Sequence, residues 1–324
     1  MLVTIIIPTY NAAAYVARAL DSALAQTYAY TEIICVDNNS TDHTLELLTQ
    51  YQSRFPDKIQ VLQEFVQGAP AARNLGLAHA KGEWVQFLDA DDELLPGKLI
   101  RQSNLIKHNT QLILGTPIIV LENSKYRLEL WPDIWKGLGH VSHCGQTSAN
   151  LYNSKVLRKI KGWDEKITNG QDTDLLLRLL QNEVKVIQDH RSACYYHTDA
   201  KDRITKKNPE QALISHIHIS GRLSTYLKQN LVQYWNINAT FFYMATYHHL
   251  RMLACLNPEL AGELYLKYIP ADFQLKPSEE LRIPYWDCMG VNVLGLTRFA
   301  RIRNKAKILI PDKLWTGIKK IINE

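Results

Sequence analysis

Over residues 1–90 the apolar positions follow two alternating rhythms. Residues 3–7 form an unbroken β-branched run, and 32–36, 59–62 and 84–88 are three more apolar runs of strand length. Between them apolar residues recur at helical spacing. Tyr15, Val16, Ala19, Leu20, Ala23 and Leu24 mark a helix over 12–26. Leu45, Leu47, Leu48 and Tyr51 mark a second, which Thr41 and Asp42 can cap, and 69–80 reads as a third built of small residues. Strands and helices in strict alternation predict a mostly parallel sheet with helices on its faces and right-handed crossovers. Ligands of such sheets bind beyond the carboxyl ends of the strands. Here those ends are Thr9-Tyr10-Asn11, Asp37-Asn38-Asn39-Ser40, the segment around Gln67-Gly68, and Asp89-Ala90-Asp91-Asp92.

Further along, the rhythm changes. Residues 113–121 and 126–130 read as strands, 154–160 and 172–180 as helices, and 184–187 and 193–196 as short strands. This is an α+β extension, antiparallel in part. From about 208 the pattern is helical, with dense Tyr, His and Leu up to 256. The expected fold is therefore α/β, with a mostly parallel central sheet followed by a helical C-terminal region. One domain is expected over 1–205, in two parts, 1–110 and 111–205, and a mainly helical region over 206–324. Charged and polar residues cluster at the junction, 201–209.

Composition narrows the function classes. The 324 residues carry a mild net charge of +5, which fits a phosphate-bearing substrate or an anionic membrane surface. No homeodomain, zinc-finger or RNP-type signature occurs, so a nucleic-acid partner is not expected. Five cysteines, odd in number and never spaced as CxxC, argue against a disulfide scaffold and structural zinc and for a reducing compartment. Residues 1–8 show no basic n-region and no cleavage site, and no apolar run reaches about 18 residues. Neither a signal peptide nor a transmembrane helix is expected, and the cytosol is the expected location.

The densest chemistry lies where the run Trp84-Val85-Gln86-Phe87-Leu88 stops at Asp89, Asp91 and Asp92. Hard carboxylate oxygens at a strand end suit Mg²⁺ or Mn²⁺, held through one or two carboxylates plus substrate phosphates. A solvated turn before a helix N-terminus would use the same acids. Asp37 also sits at a strand end, where it and Asn38 can hydrogen-bond a base or ribose. A turn and an N-cap account for Ser40, Thr41 and Asp42. Arg73, inside a small-residue helix, can fork onto phosphate or base, or simply lie on a solvated face.

Taken together, Ile7-Pro8-Thr9-Tyr10-Asn11, Val36-Asp37-Asn38-Asn39-Ser40-Thr41-Asp42, Ala72-Arg73-Asn74-Leu75-Gly76 and the run from Gly82 to Asp92 resemble family 2 glycosyltransferases over roughly residues 1–200. The resemblance implies a GT-A fold and an inverting enzyme using a nucleotide-diphosphate sugar. It implies nucleotide-sugar contacts from Pro8, Tyr10, Asn11, Asp37, Asn38, Arg73, Asp89 and Ala90. It further implies a divalent metal on Asp91, with Asp89 on ribose or metal-bound water. Asn38 stands where the family often has a second acid that contacts uracil, so the base stays open: UDP first, with dTDP and GDP compatible. The acceptor implied is a saccharide, free or lipid-linked, of a cell-surface polymer.

Gly170-Gln171-Asp172-Thr173-Asp174-Leu175-Leu176-Leu177-Arg178 resembles the family's later acidic motif, with Gln171 in place of Glu. Asp172 matches the catalytic base, which the chemistry requires because a hydroxyl is a poor nucleophile until a carboxylate takes its proton. Asp172 is also placed to cap the helix. Asp174 and Arg178, four apart, read as a structural pair. His197 ends a predicted strand where relatives carry a histidine near metal or diphosphate, and it is either a third metal ligand or structural. Residues 143–150 match a segment that lies beside donor sugar and acceptor in relatives. His143 and Cys144 are neighbours that point apart in a strand, so they make no nucleophilic dyad. Trp131 and Trp135 can stack on sugars or fill the core, and Trp163 reads as core.

The C-terminal stretch is basic, with Arg298, Arg301, Arg303, Lys305, Lys307, Lys313, Lys319 and Lys320. Leu314, Trp315, Ile318, Ile321 and Ile322 form an apolar stripe, and Pro311 suits a first helical turn. Such a helix docks on the protein's own core or lies on an anionic membrane, here the inner face. Two competing functions remain in view. A sugar-nucleotide pyrophosphorylase would want a Gly-rich loop after the first strand, where this chain has Pro8-Thr9-Tyr10-Asn11. A non-catalytic sugar-nucleotide-binding or scaffold protein would not need Asp89, Asp91 and Asp172 together.

Overall fold

The computed structural model describes residues 1–140, 144, 146–198 and 208–309, the side chains of 306–309 excepted. The chain divides into two compact units, Met1–Arg203 and Ile204–Glu324.

In the first unit β1 (Val3–Thr9), β2 (Thr31–Asp37), β3 (Ile59–Gln63) and β4 (Trp84–Phe87) pair in parallel in the order β3-β2-β1-β4. Every residue of β1 is buried, because strands flank both its edges and helices cover the sheet; an unbroken β-branched run is what such a strand requires. The connecting helices are α1 (Val16–Leu24), α2 (Thr44–Arg54) and α3 (Ala69–His79). The first is shorter than the pattern predicts. Ahead of it Asn11 takes a left-handed φ of 48°, and Ala12 N–H donates to Thr44 Oγ1 at 2.8 Å. The small residues of α3 let it lie close on the sheet: a Cβ added at Gly76 would come 2.5 Å from Ile6 Cγ2.

The second half of the sheet is mixed. It contains β5 (Glu93–Leu94), β6 (Leu112–Val120), β7 (Lys125–Arg127), β8 (Leu151–Asn153) and β9 (Val186–His197). The order continues β4-β8-β6-β9-β5, with β7 on β6. β8 runs antiparallel to both β4 and β6, β6 and β9 are parallel, and β5 is antiparallel to β9. The helices here are α4 (Lys98–Leu105), α5 (Ile134–Gly139), α6 (Ser154–Lys159) and α7 (Gln171–Gln181). The two short strands expected over 184–187 and 193–196 are one strand. The charged residues between them do not break it, because Asp189 is buried on Arg101 at 2.9 Å.

Lys98 at the start of α4 is fully buried, and its Nζ donates to Asn150 O at 3.2 Å. Burial pushes its pKa down from 10.5 to about 7. Between those values the unfolded chain holds a proton that the folded chain does not, so stability rises with pH by up to ~1.4 kcal/mol per unit. Urea unfolding at pH 7.0, 7.5, 8.0 and 8.5 should show this rise, and Lys98→Met should remove about one proton's worth of slope. From the ordinary thiol value of 9.0 upward the buried thiols of Cys35, Cys144 and Cys194, all raised by burial, act in the opposite sense. An unchanged slope in the variant would show that Lys98 is not the source.

The second unit is helical: α8 (Pro209–Asn230), α9 (Val232–Leu253), α10 (Pro258–Tyr268), α11 (Tyr285–Leu294) and α12 (Leu296–Leu309). Asn208 and Asn257 cap α8 and α10, each followed by Pro in the first turn. Tyr247, Leu250, Leu253 and Ala300 are among its fully buried residues. Buried Asp287 accepts from Arg251 at 2.8 Å and Arg303 at 3.3 Å. Arg303 is thus internal, and Arg301 pairs with Glu259, so two of the cations the sequence offered to a membrane have partners within the unit. Residues 310–324, which carry the expected amphipathic helix, and His143 and Gly145 lie outside the described residues. Among the described residues no helix is long and apolar enough to cross a membrane.

Candidate functional site

The ends of β1, β2 and β3 are in register, with Thr9 opposite Asp37 and Asp37 opposite Gln63. Loop stitching follows from that register. Asn11 Oδ1 accepts from Thr41 N–H at 2.8 Å, and Asn11 N–H donates to Ser40 Oγ at 3.0 Å. Pro8 is buried within β1, while Tyr10 stands half exposed beyond it. Asp37 is 1% exposed. Its Oδ2 accepts from Ser40 N–H at 3.2 Å, but its Oδ1 is buried with no partner. An orphaned acceptor of this kind is costly and suits an N–H donor arriving with a ligand.

Asn38 behaves differently. Its Nδ2 donates to Glu64 O at 2.9 Å and Val66 O at 2.7 Å, and its Oδ1 accepts from Gly68 N–H at 2.7 Å. The side chain thereby fixes the loop that leads into α3. Sequence shows the amide but not what it bonds, because its partners are some thirty residues away.

After β4 the chain makes the acidic loop. Asp89 Oδ1 accepts from Arg73 Nη2 at 2.7 Å. Asp89 N–H donates to Ser148 Oγ at 3.2 Å, and that hydroxyl donates to Asp92 Oδ2 at 2.7 Å. Asp92 is fully buried, and its Oδ1 accepts from His197 N–H at 3.1 Å. Burial first, then the charges of Asp89 and Asp91, push its carboxyl well above the usual range. The Asp91 carbonyl accepts from Arg18. His197 Nε2 lies 2.7 Å from Glu93 Oε1, which also faces Arg18.

Arg73 joins two parts of the chain. It is 5% exposed, its guanidinium lies 4.3 Å over the Trp163 ring, and Nη1 donates to Gln171 Oε1 at 3.1 Å. Asp172, next along α7, feels the charges of both Arg73 and Asp89. Burial raises the Asp172 carboxyl pKa, Arg73 lowers it and Asp89 raises it, with a net rise. Asp174 is buried and accepts from Arg178 at 2.7 Å, and Arg178 also donates to Ile160 O and Gly162 O, so this pair is structural. Cys144 is buried and its thiol is pushed up to about 12, which makes it inert.

The structure therefore brings together Asp89, Arg73, Gln171 and Asp172, and sets Asp37 at the end of β2, with β1 between it and β4. Ser148, Trp163, Glu93 and Arg18 complete the contacts. Of these, Ser148 had no signal of its own, since one hydroxyl in a polar run says nothing about its partners.

Residues 4–160 match the family model described as glycosyl transferase family 2. The match lies within the first unit of the chain. An uncharacterized glycosyltransferase of Nostoc sp. is 36% identical over 171 residues, 49% of this chain and 53% of that protein. An Escherichia coli protein described as UDP-Glc:alpha-D-GlcNAc-diphosphoundecaprenol beta-1,3-glucosyltransferase is 36% identical over 125 residues, 38% of this chain and 48% of that one. The chain thus spans about half the length of these relatives. Among solved structures, Staphylococcus aureus TarS 1–349 in complex with UDP-GlcNAc superposes with a TM-score of 0.56 at 16% identity, covering 82% of this chain and 86% of that one. The mannosyltransferase PcManGT of Pyrobaculum calidifontis, in complex with GDP-Man and Mn²⁺, gives 0.55 at 18% identity, covering 93% and 86%. These likenesses show the expected GT-A fold.

Proposed function

We propose that this chain transfers a sugar, with inversion, from a nucleotide-diphosphate sugar to a hydroxyl of a saccharide acceptor. One observation carries the reading. Arg73 ties Asp89, at the end of β4, to Gln171 beside Asp172, so the acid expected on the donor and the acid expected to act as base share one charged bridge. The orphaned Asp37 Oδ1 supports a nucleobase N–H beyond β2. UDP is the first donor to test, with dTDP and GDP next; the ligands named for TarS and PcManGT are of this class.

A divalent cation fits the acidic loop. Burial first, and then the nearby charges of Asp89 and Asp91, push the Asp92 carboxyl pKa up, and a cation would relieve that crowding of charge. Among the described residues no three or more His, Cys, Asp or Glu converge as a ready cage. An ion held by one or two carboxylates with the remainder from phosphate needs no such cage. Asp91, with Asp89, would hold Mn²⁺ or Mg²⁺; His197 faces Glu93. The ion would neutralise charge on the departing diphosphate. Asp172 takes the acceptor proton, Arg73 holds Asp89 and Gln171 in place, and positioning supplies much of the acceleration. Pro8, Tyr10, Asn11, Asn38 and Ala90 shape the donor pocket, with Asn38 acting through the loop it ties.

The name of the E. coli relative gives a diphosphoundecaprenol-linked saccharide, which supports a lipid-linked acceptor here; on that reading the acceptor belongs to a cell-surface polymer and the site of action is cytoplasmic and membrane-peripheral. The 1–205 part would then carry the chemistry, donor side over 1–110 and acceptor side over 111–205, and 206–324 acceptor choice.

The test is thermal-shift stabilisation by UDP, dTDP, GDP and CDP, each with and without Mn²⁺. Binding to the folded state raises the melting temperature by mass action, by several degrees at 100-fold saturation. One nucleotide should give a metal-dependent shift that Asp91→Asn abolishes. No shift with any nucleotide, from folded protein, would move the weight to a scaffold role.

A further inference from the structure

In the second unit α11 and α12 pack as a pair, with Trp286 against Phe299 at 5.9 Å and Gly290 tight against the Phe299 ring. Their outer surface is unusual. Tyr285, Met289 and Val293, at positions i, i+4 and i+8 of α11, are 66%, 52% and 75% exposed. Residues at that spacing share one helix face, so this is a continuous apolar ridge. Leu294 extends it to the turn at Gly295, and Ile302 stands exposed on α12. Arg298, Ile302 and Lys305 share a face of α12, and all three are exposed.

Among the described residues of the two helices themselves, the exposed charge is of one sign. Between 283 and 305 the sequence holds a single acid, Asp287. It is fully buried between Arg251 and Arg303, so it offers nothing to the surface. Among the described side chains of the two helices, the exposed groups that carry charge are Arg298, Arg301 and Lys305, of which Arg301 shares Glu259. Exposed Glu279 and Glu280 precede Arg282 in the connecting segment, off both helices.

We propose that the α11–α12 pair lies in the plane of an anionic lipid surface, with Tyr285, Met289 and Val293 entering the headgroup boundary and Arg298 and Lys305 meeting the lipid phosphates. Apolar side chains on helices whose own exposed charges are cationic are what such an interface selects. The ten-residue α11 is far too short to span a bilayer, so it lies along the surface. A second copy of the chain is the poorer occupant, since a two-fold contact through this face brings Arg298 and Lys305 toward their own equivalents. The inference deepens the membrane-peripheral part of the function proposed above, and it locates the contact in α11–α12 rather than in 310–324.

The experiment is co-sedimentation of the full-length protein with vesicles of phosphatidylcholine, alone or mixed with phosphatidylglycerol. The protein should bind the mixed vesicles, and binding should weaken with salt. Met289→Glu/Val293→Glu should lower the partition coefficient at least tenfold. Arg298→Gln/Lys305→Gln, two exposed changes that leave packing alone, should lower it about fivefold per cation. Each variant must keep the wild-type melting curve. Trp315→Glu/Ile318→Glu should bind much as wild type. The proposal falls if wild type ignores anionic vesicles, or if the ridge variants bind normally while the 315/318 variant does not. It also falls if the ridge variants instead abolish a dimer seen by light scattering. Nucleotide thermal shifts on the same preparations keep a failed donor site distinct from a failed lipid contact.

Discussion

Asp172→Asn should slow sugar transfer by about 10²–10⁴-fold, the range over which a positioned general base contributes, while the nucleotide-dependent thermal shift stays at its wild-type size. The substitution keeps shape and hydrogen-bonding capacity and removes only the ability to accept the acceptor's proton. The pH profile carries the same argument. Burial lifts the Asp172 carboxyl above the ordinary range, with Asp89 adding to the lift and Arg73 opposing it. The base works only when ionised, so the rate should fall on the acid side of a pKa above that of a free aspartate, and the limb should vanish in Asp172→Asn. Asp174 is the control two residues away. Its carboxylate is buried on Arg178, so Asp174→Asn should cost stability instead of specific rate. If both variants fell equally in rate and stability, Asp172 would be a helix-terminus residue like its neighbour and the base would lie elsewhere.

The parts of this fold that the sequence made legible are those whose causes are local. β1 is a β-branched run because both its faces are covered, and Asp37 and Asp89 mark strand ends because charge cannot continue inward. β5 and β8, of two and three residues, are too short to show any period. β9 looked broken because its middle is polar, and only Arg101, nearly ninety residues earlier, explains how Asp189 is buried there. Asn38 is the same lesson inside the candidate site. An amide at a strand end invites a ligand, yet here its bonds go to a loop that the sequence places far off. Arg73 reverses the error. A surface reading was natural for an arginine in a helix, but Trp163 and Gln171 return from across the unit to enclose it.

Arg73 also makes the second large prediction. Arg73→Met should destabilise the first unit by about 2–3 kcal/mol. Removing one partner of a fully buried pair costs about 3–5 kcal/mol, and Asp89 keeps 27% of its side chain in water. Loss of the stack on Trp163 adds to the change. Arg73→Lys should not restore function. An ammonium is a single point charge, whereas the guanidinium reaches Asp89 through Nη2 and Gln171 through Nη1 at once. The two variants should separate on the pH profile. In Arg73→Met the cation that lowers the Asp172 pKa is gone, so the acid limb should move to higher pH. In Arg73→Lys the charge remains and the limb should stay near wild type while the rate falls. Urea unfolding and rate against pH, measured on both, decide the matter. Equal limbs in the two variants would mean that Arg73 sets geometry alone. A wild-type rate in Arg73→Lys would mean that the fork between the acidic loop and α7 is dispensable, and the link between donor and base would then have to come from the substrate itself.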